Sequence, residues 1–247
     1  MTNPHRAHAA LCLGGAPFLK HYPRGRFQLW RGVGFTGNSL PGPGFNFAAA
    51  VGPSPRLDKI VAEGTRFFAG DAWGVLVEGD AGHPVEAELR SRGWPIAEDE
   101  PAYVLSDLAS GEFGPFRAFQ TEDDRRTFLQ VCCTAYGSPP EMAEMFMPSL
   151  AFALDPAMGW FVSPGAEIVG GYYRVGSAAV IGCLACLPEH RGRGFGARLV
   201  RHMLAHAAER GCTHAALRSG PLSVPLYERL GFRYACQHRT YAVPGNT

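Results

Sequence analysis

Between residues 181 and 200 an apolar run enters a turn rich in arginine and glycine, which opens an amphipathic helix: IGCLACLPEHRGRGFGARLV. A helix start leaves four backbone N–H groups without intrahelical acceptors and carries about half a positive charge. Glycines let the backbone approach an anion closely, and arginines add cationic donors. The glycines are Gly192, Gly194 and Gly196, and the arginines are Arg191 and Arg193. The segment therefore predicts a strand, a diphosphate-binding loop and a helix.

Spacing excludes two other glycine-rich loops. A P-loop requires G-x-x-x-x-G-K-[ST], and no Lys-Ser or Lys-Thr pair follows these glycines. A dinucleotide-binding turn requires G-x-G-x-x-G and an acidic residue about twenty residues further on. Here the third glycine comes one residue too early, and Arg218 instead of an acid flanks the next predicted strand.

The second half of the chain predicts a regular order of helices and strands. Thr121 and the three acids after it are typical of a helix start, and apolar spacing near 3.6 continues to Tyr136. Runs rich in Val, Ile and Tyr, separated by tight turns, predict strands before the glycine-rich loop. The predicted order is helices over 125–136 and 141–152, strands over 159–162, 166–175 and 178–187, a helix over 195–210, a strand over 213–218, a helix over 222–230 and a strand over 232–243.

The first half is less regular, because Gly and Pro crowd residues 14–55. Its patterns predict strands over 45–51, 73–78 and 103–105 and helices over 57–68 and 84–92. The segment 110–115 has the composition of a connector. We therefore expect an N-terminal α+β domain over residues 1–110 and a second domain over residues 111–247.

A weak internal repeat links the two halves. Residues 88–94, ELRSRGW, resemble residues 226–232, LYERLGF, since each is a short helix followed by a glycine and an aromatic residue that opens a strand. Two interpretations stay open. The first half is a degenerate copy of the second, or helix, glycine and aromatic residue are simply a common way to turn a corner.

The glycine-rich loop resembles a known family. Arg191-x-x-Gly194-x-Gly196 matches the pyrophosphate loop of the GNAT N-acetyltransferase superfamily, R/Q-x-x-G-x-G/A, at every specified position. The run 226–232 resembles the family's later helix, commonly L-Y-x-x-x-G-F, and one helix and one strand separate the two motifs. The resemblance covers about residues 115–245. It implies a mixed α/β fold with a GNAT-like, mostly antiparallel sheet flanked by helices, beside a smaller N-terminal α+β domain.

The resemblance also implies roles for individual residues. The strand before the loop would hold the pantetheine arm of acetyl-CoA, the loop would hold the diphosphate, and Tyr227 would protonate the leaving thiolate. Many members place an Asn that contacts CoA where this chain has Ser219 and Ser223, so that contact would fall to a serine. The residues implied to bind acetyl-CoA are Leu184, Ala185, Cys186, Arg191, Gly192, Arg193, Gly194, Phe195, Gly196 and Ser223. If the first half is a second GNAT-like unit, it lacks the loop glycines and is not expected to bind CoA.

The implied function is transfer of an acetyl group from acetyl-CoA to a primary amine of a small molecule by direct attack, with Tyr227 as general acid. No general base is visible in the sequence. The alternative is a non-catalytic CoA-binding sensor or structural domain, which the missing Asn and the unidentified base favour.

Composition limits the remaining classes. A formal net charge of +1 and the lack of basic stripes argue against a nucleic-acid partner. No apolar run approaches the roughly 20 residues that span a bilayer, and the first ten residues lack a signal-peptide pattern, so we expect no membrane partner and a cytoplasmic protein. A homodimer is left open. The nine histidines include no H-E-x-x-H motif, and His202 and His206 are expected on a solvated helix face, so no metal site is predicted.

Overall fold

The computed structural model describes residues 4–38, 40–52, 55–79, 82–108, 111 and 114–245. These form two compact units. The N-terminal unit comprises the described residues within Thr2–Tyr103, Arg218–Pro221 and Tyr234–Thr247, and the C-terminal unit those within Val104–Leu217 and Leu222–Arg233. We predicted a domain boundary between residues 110 and 111, whereas the N-terminal unit gives way to the C-terminal unit after Tyr103. The last strand of the chain belongs to the N-terminal unit. In the predicted connector, Ser110, Glu112 and Phe113 lie outside the described residues.

The described chain contains eight α-helices, eleven strands and two short 3₁₀ helices at Ala16–His21 and Pro188–His190. In chain order they are α1 (Pro4–Leu13), β1 (Arg26–Trp30), β2 (Val33–Gly37), β3 (Phe47–Ala50), α2 (Leu57–Phe68), β4 (Gly74–Gly79), α3 (Pro84–Ser91), β5 (Ile96–Ser106), β6 (Arg117–Ala118), α4 (Glu122–Tyr136), α5 (Pro140–Phe146), α6 (Leu150–Ala153), β7 (Met158–Val162), β8 (Ile168–Val175), β9 (Ala178–Cys186), α7 (Phe195–Glu209), β10 (His214–Arg218), α8 (Val224–Arg229) and β11 (Arg233–Ala242). None of the helices is long and apolar enough to span a bilayer within the described part of the chain.

The sheet of the N-terminal unit runs β1-β2-β3-β4-β11. Its pairs are antiparallel except β3 with β4. Phe68 stacks on Trp73 with ring centroids 4.7 Å apart at the centre of its core. The sequence did not predict α1, β1 or β2. The turn between β1 and β2 places Arg31 at φ 48°, a conformation that a non-glycine residue seldom adopts, and this hid the hairpin.

The sheet of the C-terminal unit runs β10-β9-β8-β7-β6 and is antiparallel except for β9 with β10. Thr121 caps α4 in a capping box with Asp124, and Gly137 ends the helix with φ 64°. The predicted helix over 141–152 is wrong in one respect, since the structure divides it into α5 and α6. Pro148 lies between them, because proline disfavours helical backbone in the residue before it and cannot donate to the helix.

His202 and His206 correct another expectation. They do not form a solvated face, because both rings pack edge-on against Phe161, with centroids 4.7 Å and 5.0 Å away. The Nδ1 of His206 also lies 2.8 Å from the hydroxyl of Tyr172. This side of α7 therefore packs against the sheet.

The two units repeat one order of elements. In each, three antiparallel strands lead to a helix, to a strand parallel to the third, and to a second helix. The series is β1–β2–β3–α2–β4–α3 in one unit and β7–β8–β9–α7–β10–α8 in the other. The weak sequence repeat falls at the equivalent helices α3 and α8, so the topology agrees with an internal duplication. The predicted fold class, a mixed α/β fold with a mostly antiparallel sheet flanked by helices, is confirmed.

Candidate functional site

The glycine-rich loop leads directly from β9 into α7. Gly192 and Gly194 have φ of 75° and 80°, and Gly194 is the N-cap of α7 without any side-chain cap. Arg198 is the first residue of the helix whose N–H reaches a backbone acceptor, the carbonyl of Gly194 at 3.1 Å. Among the described residues, the amides of Gly194–Ala197 have no acceptor. The residues from Arg191 to Gly194 are exposed, so this helix end is an open group of donors.

Gly196 lets the first turn of α7 approach α8. A Cβ at this position would lie 3.1 Å from Cδ2 of Leu226 and 3.9 Å from Cδ2 of Leu184. The missing side chain therefore brings the loop, β9 and α8 together. Leu226 directly precedes Tyr227 on α8, so this contact lies next to the tyrosine.

Strand β9 separates from β10 before it reaches the loop. The parallel register with β10 covers Ala178–Val180, whereas the antiparallel register with β8 continues to Cys186, with an irregularity opposite Gly171 and Tyr172. The part of β9 nearest the loop thus has an edge that β10 does not cover. Backbone groups on this edge are available to a ligand.

Hydrogen bonds identify which residues face the open edge. The hydroxyl of Tyr136 donates to the carbonyl of Leu184 at 2.9 Å, and Nε of Arg191 donates to the carbonyl of Cys186 at 3.2 Å. Leu187 instead donates to the carbonyl of Glu167, next to β8. In an antiparallel strand the N–H and C=O of one residue point to the same side, and the side alternates along the chain. Leu184 and Cys186 therefore face the open edge, while Ala185 faces β8.

Arg191 fastens the loop to its surroundings. Besides the bond to Cys186, a terminal nitrogen of its guanidinium donates to the carbonyl of Ala135 near the end of α4, at 2.6 Å. The sequence predicted Arg191 as a cationic donor beside the phosphate. In the structure two of its donors bind backbone, whereas exposed Arg193 has no ion pair or hydrogen bond among the described residues.

Tyr227 lies on α8 with its side chain buried. It is 5% exposed, and its ring packs against Phe232 with centroids 5.6 Å apart. Within the described part of the chain its hydroxyl makes no hydrogen bond. Burial raises the pKa of Tyr227 above its ordinary value, and the nearby thiol of Cys183 acts in the same direction. The hydroxyl is therefore protonated at neutral pH and able to donate.

Sequence reasoning missed a cluster of thiols and hydroxyls beside β9. The Sγ of Cys183 lies 3.8 Å from both the Sγ of Cys132 and the hydroxyl of Tyr136. No local pattern shows this cluster, because α4 and β9 are about fifty residues apart in sequence.

Ser223, Ser219 and Glu167 have distinct environments. Ser223 is the N-cap of α8 and makes no side-chain cap, so its half-buried hydroxyl is not used by the helix. Ser219 is buried and donates to the carbonyl of Gly220 at 3.0 Å. Glu167 accepts from the hydroxyl of Ser163, a bond that lowers the pKa of its carboxyl. That carboxylate is held at the turn before β8 and is a poor general base.

Comparison with known proteins finds an acetyltransferase family in the C-terminal half of the chain. Residues 123–232 match the Acetyltransferase (GNAT) family. A curated relative, glucosamine 6-phosphate N-acetyltransferase 1 of Oryza sativa subsp. japonica, is 28% identical over 152 residues, covering 56% of this chain and 90% of the relative.

Solved structures resemble both units. A GCN5-related N-acetyltransferase from Kribbella flavida has a TM-score of 0.70 at 16% identity and covers 99% of this chain and 97% of its own. A second, from Sphaerobacter thermophilus, has a TM-score of 0.56 at 14% identity and covers 87% of this chain and 81% of its own. At these identities the structural matches establish the fold alone.

Proposed function

We propose that the chain, whose residues 123–232 match the GNAT acetyltransferase family, is an acyl-CoA-dependent N-acetyltransferase that transfers the acetyl group of acetyl-CoA to a primary amine of a small molecule. One observation carries this proposal. The exposed start of α7 presents amides without acceptors next to the uncovered edge of β9. A ligand with a diphosphate followed by an extended arm fits that pair of features.

The loop residues would bind the diphosphate of acetyl-CoA. The amides of Gly194, Phe195, Gly196 and Ala197 have no acceptor among the residues that the structure describes, and Arg193 adds a cation beside them. Arg191 would contribute mainly by holding the loop in place. The hydroxyl of Ser223 is the available replacement for the Asn of other family members.

The open edge of β9 would bind the pantetheine arm and the thioester. The N–H groups of Leu184 and Cys186 point to this edge, so they are the donors for an extended amide chain and for the thioester carbonyl. A donor aimed at the oxygen of the tetrahedral intermediate typically contributes about 3–4 kcal/mol. Ala185 supports the site through its pairing with β8 and its buried side chain.

The chemical step is direct attack of the acceptor nitrogen on the thioester carbonyl carbon. The acceptor ammonium first loses one proton to solvent or to a base that the sequence does not identify. A C–N bond then forms, the C–S bond breaks, and the nitrogen loses a second proton, so the product amide keeps one N–H. The leaving thiolate takes a proton from the hydroxyl of Tyr227, which burial keeps protonated. Tyr227 is then reprotonated from water.

The acceptor is proposed only as a class, a primary amine on a small molecule. The curated relative is named for glucosamine 6-phosphate, so amino sugars and their phosphates are the first compounds to test. Amino acids, polyamines and aminoglycosides complete the panel.

An acceptor screen tests the proposal. Purified chain is incubated with acetyl-CoA and each amine, and release of free CoA thiol is followed together with the mass of the acetylated product. We expect product from at least one amine and saturable acetyl-CoA binding by calorimetry. Absence of binding at millimolar acetyl-CoA would contradict the proposal. Binding without turnover across the whole panel would favour the alternative function, a non-catalytic CoA sensor.

A further inference from the structure

A cluster of histidine and cysteine side chains lies within the N-terminal unit, in which no chemistry has been assigned. His8 and Cys12 stand four residues apart on α1, and Cys236 and His238 stand two residues apart on β11. A spacing of four places two side chains on one face of a helix, and a spacing of two places them on one face of a strand. Each of the two elements thus directs one imidazole and one thiol into the interior of the unit.

All four side chains are buried. They are only 1–4% exposed to solvent. Buried cysteine is common, but two buried histidines within one such cluster are unusual because each ring nitrogen requires a partner. Nδ1 of His238 has no hydrogen-bond partner among the described residues.

The distances within the cluster are close to those of a metal site. Ligand atoms of His8, Cys236 and His238 all lie within 4.8 Å of one another. His8 Nδ1 is 2.9 Å from His238 Nε2, and the Sγ of Cys12 is 3.6–3.7 Å from the two ring nitrogens of His8. Tetrahedral zinc has bonds of about 2.0–2.1 Å to nitrogen and about 2.3 Å to sulfur. At tetrahedral angles, two nitrogen ligands then lie about 3.3 Å apart, and a nitrogen and a sulfur ligand lie about 3.5 Å apart.

The surroundings of His8 orient a metal ligand. Its Nε2 lies 3.2 Å from the carbonyl of Ala50, and a carbonyl only accepts, so Nε2 carries the hydrogen at this contact. In a neutral ring Nδ1 then holds the lone pair, and Nδ1 is the atom nearest His238. Histidine ligands in metal sites commonly donate their other N–H to a backbone carbonyl in this way. Glu78, also buried, lies opposite His238 in the register of β4 and β11.

We propose that the N-terminal unit binds a structural zinc ion through His8, Cys236 and His238, with Cys12 as the fourth ligand. Two imidazoles and two thiolates are a typical donor set for tetrahedral zinc, and complete burial leaves no open position for a substrate. The ion would join α1 near the N-terminus to β11 near the C-terminus. Closing so long a segment of chain removes much entropy from the unfolded state.

Metal content and cobalt substitution test the proposal on the full-length chain. The protein is purified without chelators from zinc-supplemented medium and its metals are measured by mass spectrometry. We expect about one zinc ion per chain, loss of thermal stability after removal of the metal, and recovery on adding zinc back. Replacement by Co²⁺ is expected to give tetrahedral d–d bands and a thiolate charge-transfer band.

Variants locate the ion. Cys236→Ser and His238→Gln are expected to abolish stoichiometric zinc binding, whereas Cys12→Ser keeps a weaker charge-transfer band. Cys212→Ser is the matched control, since Cys212 is equally buried but belongs to the C-terminal unit. If Cys236→Ser fails to fold, the cobalt spectrum of the wild-type chain decides the question alone. No zinc and no thiolate–cobalt band in the wild-type chain, or an unchanged band in Cys236→Ser, would overturn the proposal.

Discussion

Tyr227 combines a buried ring with a hydroxyl that makes no hydrogen bond in the described structure. A tyrosine that served only the core would be expected to satisfy its hydroxyl with a protein acceptor. Here burial keeps the hydroxyl protonated, and the thiol of Cys183 on β9 lies nearby. At the scale of single residues, this is the strongest candidate for a proton donor in the C-terminal unit.

Replacing Tyr227 by phenylalanine tests that role. The ring and its packing on Phe232 remain, so we expect Tyr227→Phe to bind acetyl-CoA normally and to lose roughly one hundred- to ten-thousand-fold in kcat. Tyr172→Phe is the matched control, because it removes the hydroxyl of another buried tyrosine, one that bonds His206 away from the loop. Steady-state kinetics with the best acceptor provide the measurement. Equal kcat in Tyr227→Phe and wild type would remove Tyr227 from the mechanism.

His202 and His206 make stability depend on pH. Burial lowers the pKa of both rings below the ordinary value of about 6.5, with smaller effects from Arg210 and Glu209 on His206. The unfolded chain therefore binds more protons than the folded chain below about pH 6.5, and stability is lost as pH falls through that value. We expect a lower urea midpoint at about pH 5.5 than at about pH 7.5, and a smaller difference in His206→Gln. A pH-independent midpoint in the wild-type chain would contradict this.

The element to which we assign acetyl-CoA binding is the N-terminus of α7. The equivalent helix of the N-terminal unit, α2, begins differently. The two helices hold equivalent places in the repeated topology. In the sequence, however, prolines at positions 53 and 55 precede α2. Residues 53 and 54 lie outside the described structure. Proline has no N–H to donate. In addition, the amide of Leu57 at the start of α2 donates to the carboxylate of Glu88 at 3.4 Å. The chain thus supplies its own anion there, whereas α7 leaves the position open.

Gly194 tests the loop at the scale of the element. Its φ of 80° costs an alanine about 1–2 kcal/mol, and a shifted backbone would misdirect the amides. Loss of one bond to a charged group is worth about 1.5–3 kcal/mol, so we expect Gly194→Ala to weaken acetyl-CoA binding about ten- to hundredfold by calorimetry. Gly176→Ala is the control, because Gly176 also has positive φ and free space but lies at the other end of the β8–β9 hairpin. Equal affinity in the two variants would exclude the loop as the anion site.

The sequence predicted features that depend on neighbouring residues, and it did not predict features that depend on contacts between distant residues. The bounds of α2, the cap of α4 and the order from β7 to β11 follow from local periodicity and turns, and each is found within a few residues. The contact of Tyr136 with Leu184 and the approach of Leu226 to Gly196 depend on tertiary packing, so no local pattern predicted them. His8 and His238 are 230 residues apart in sequence, so no histidine spacing in the sequence could predict their contact. The zinc proposal therefore departs from the expectation that the chain has no metal site.

The whole molecule contains two units with one topology but different loops. We expect one molecule of acetyl-CoA per chain, because α2 presents a carboxylate and prolines where α7 presents free amides. Calorimetry measures the number of acetyl-CoA molecules bound per chain. Weaker binding in the loop variant Gly194→Ala would assign that binding to the C-terminal unit. Two equivalents per chain would show that the N-terminal unit also binds CoA.

The central claim is that the amides at the start of α7 bind the diphosphate of acetyl-CoA, and a crystal structure of the complex with CoA tests it most directly. We predict diphosphate oxygens within about 2.7–3.2 Å of the amide nitrogens of Gly194–Ala197, with the pantetheine arm along the open edge of β9 at Leu184 and Cys186. A diphosphate bound elsewhere on the chain, or α7 amides that remain unbonded in the presence of saturating CoA, would contradict the account.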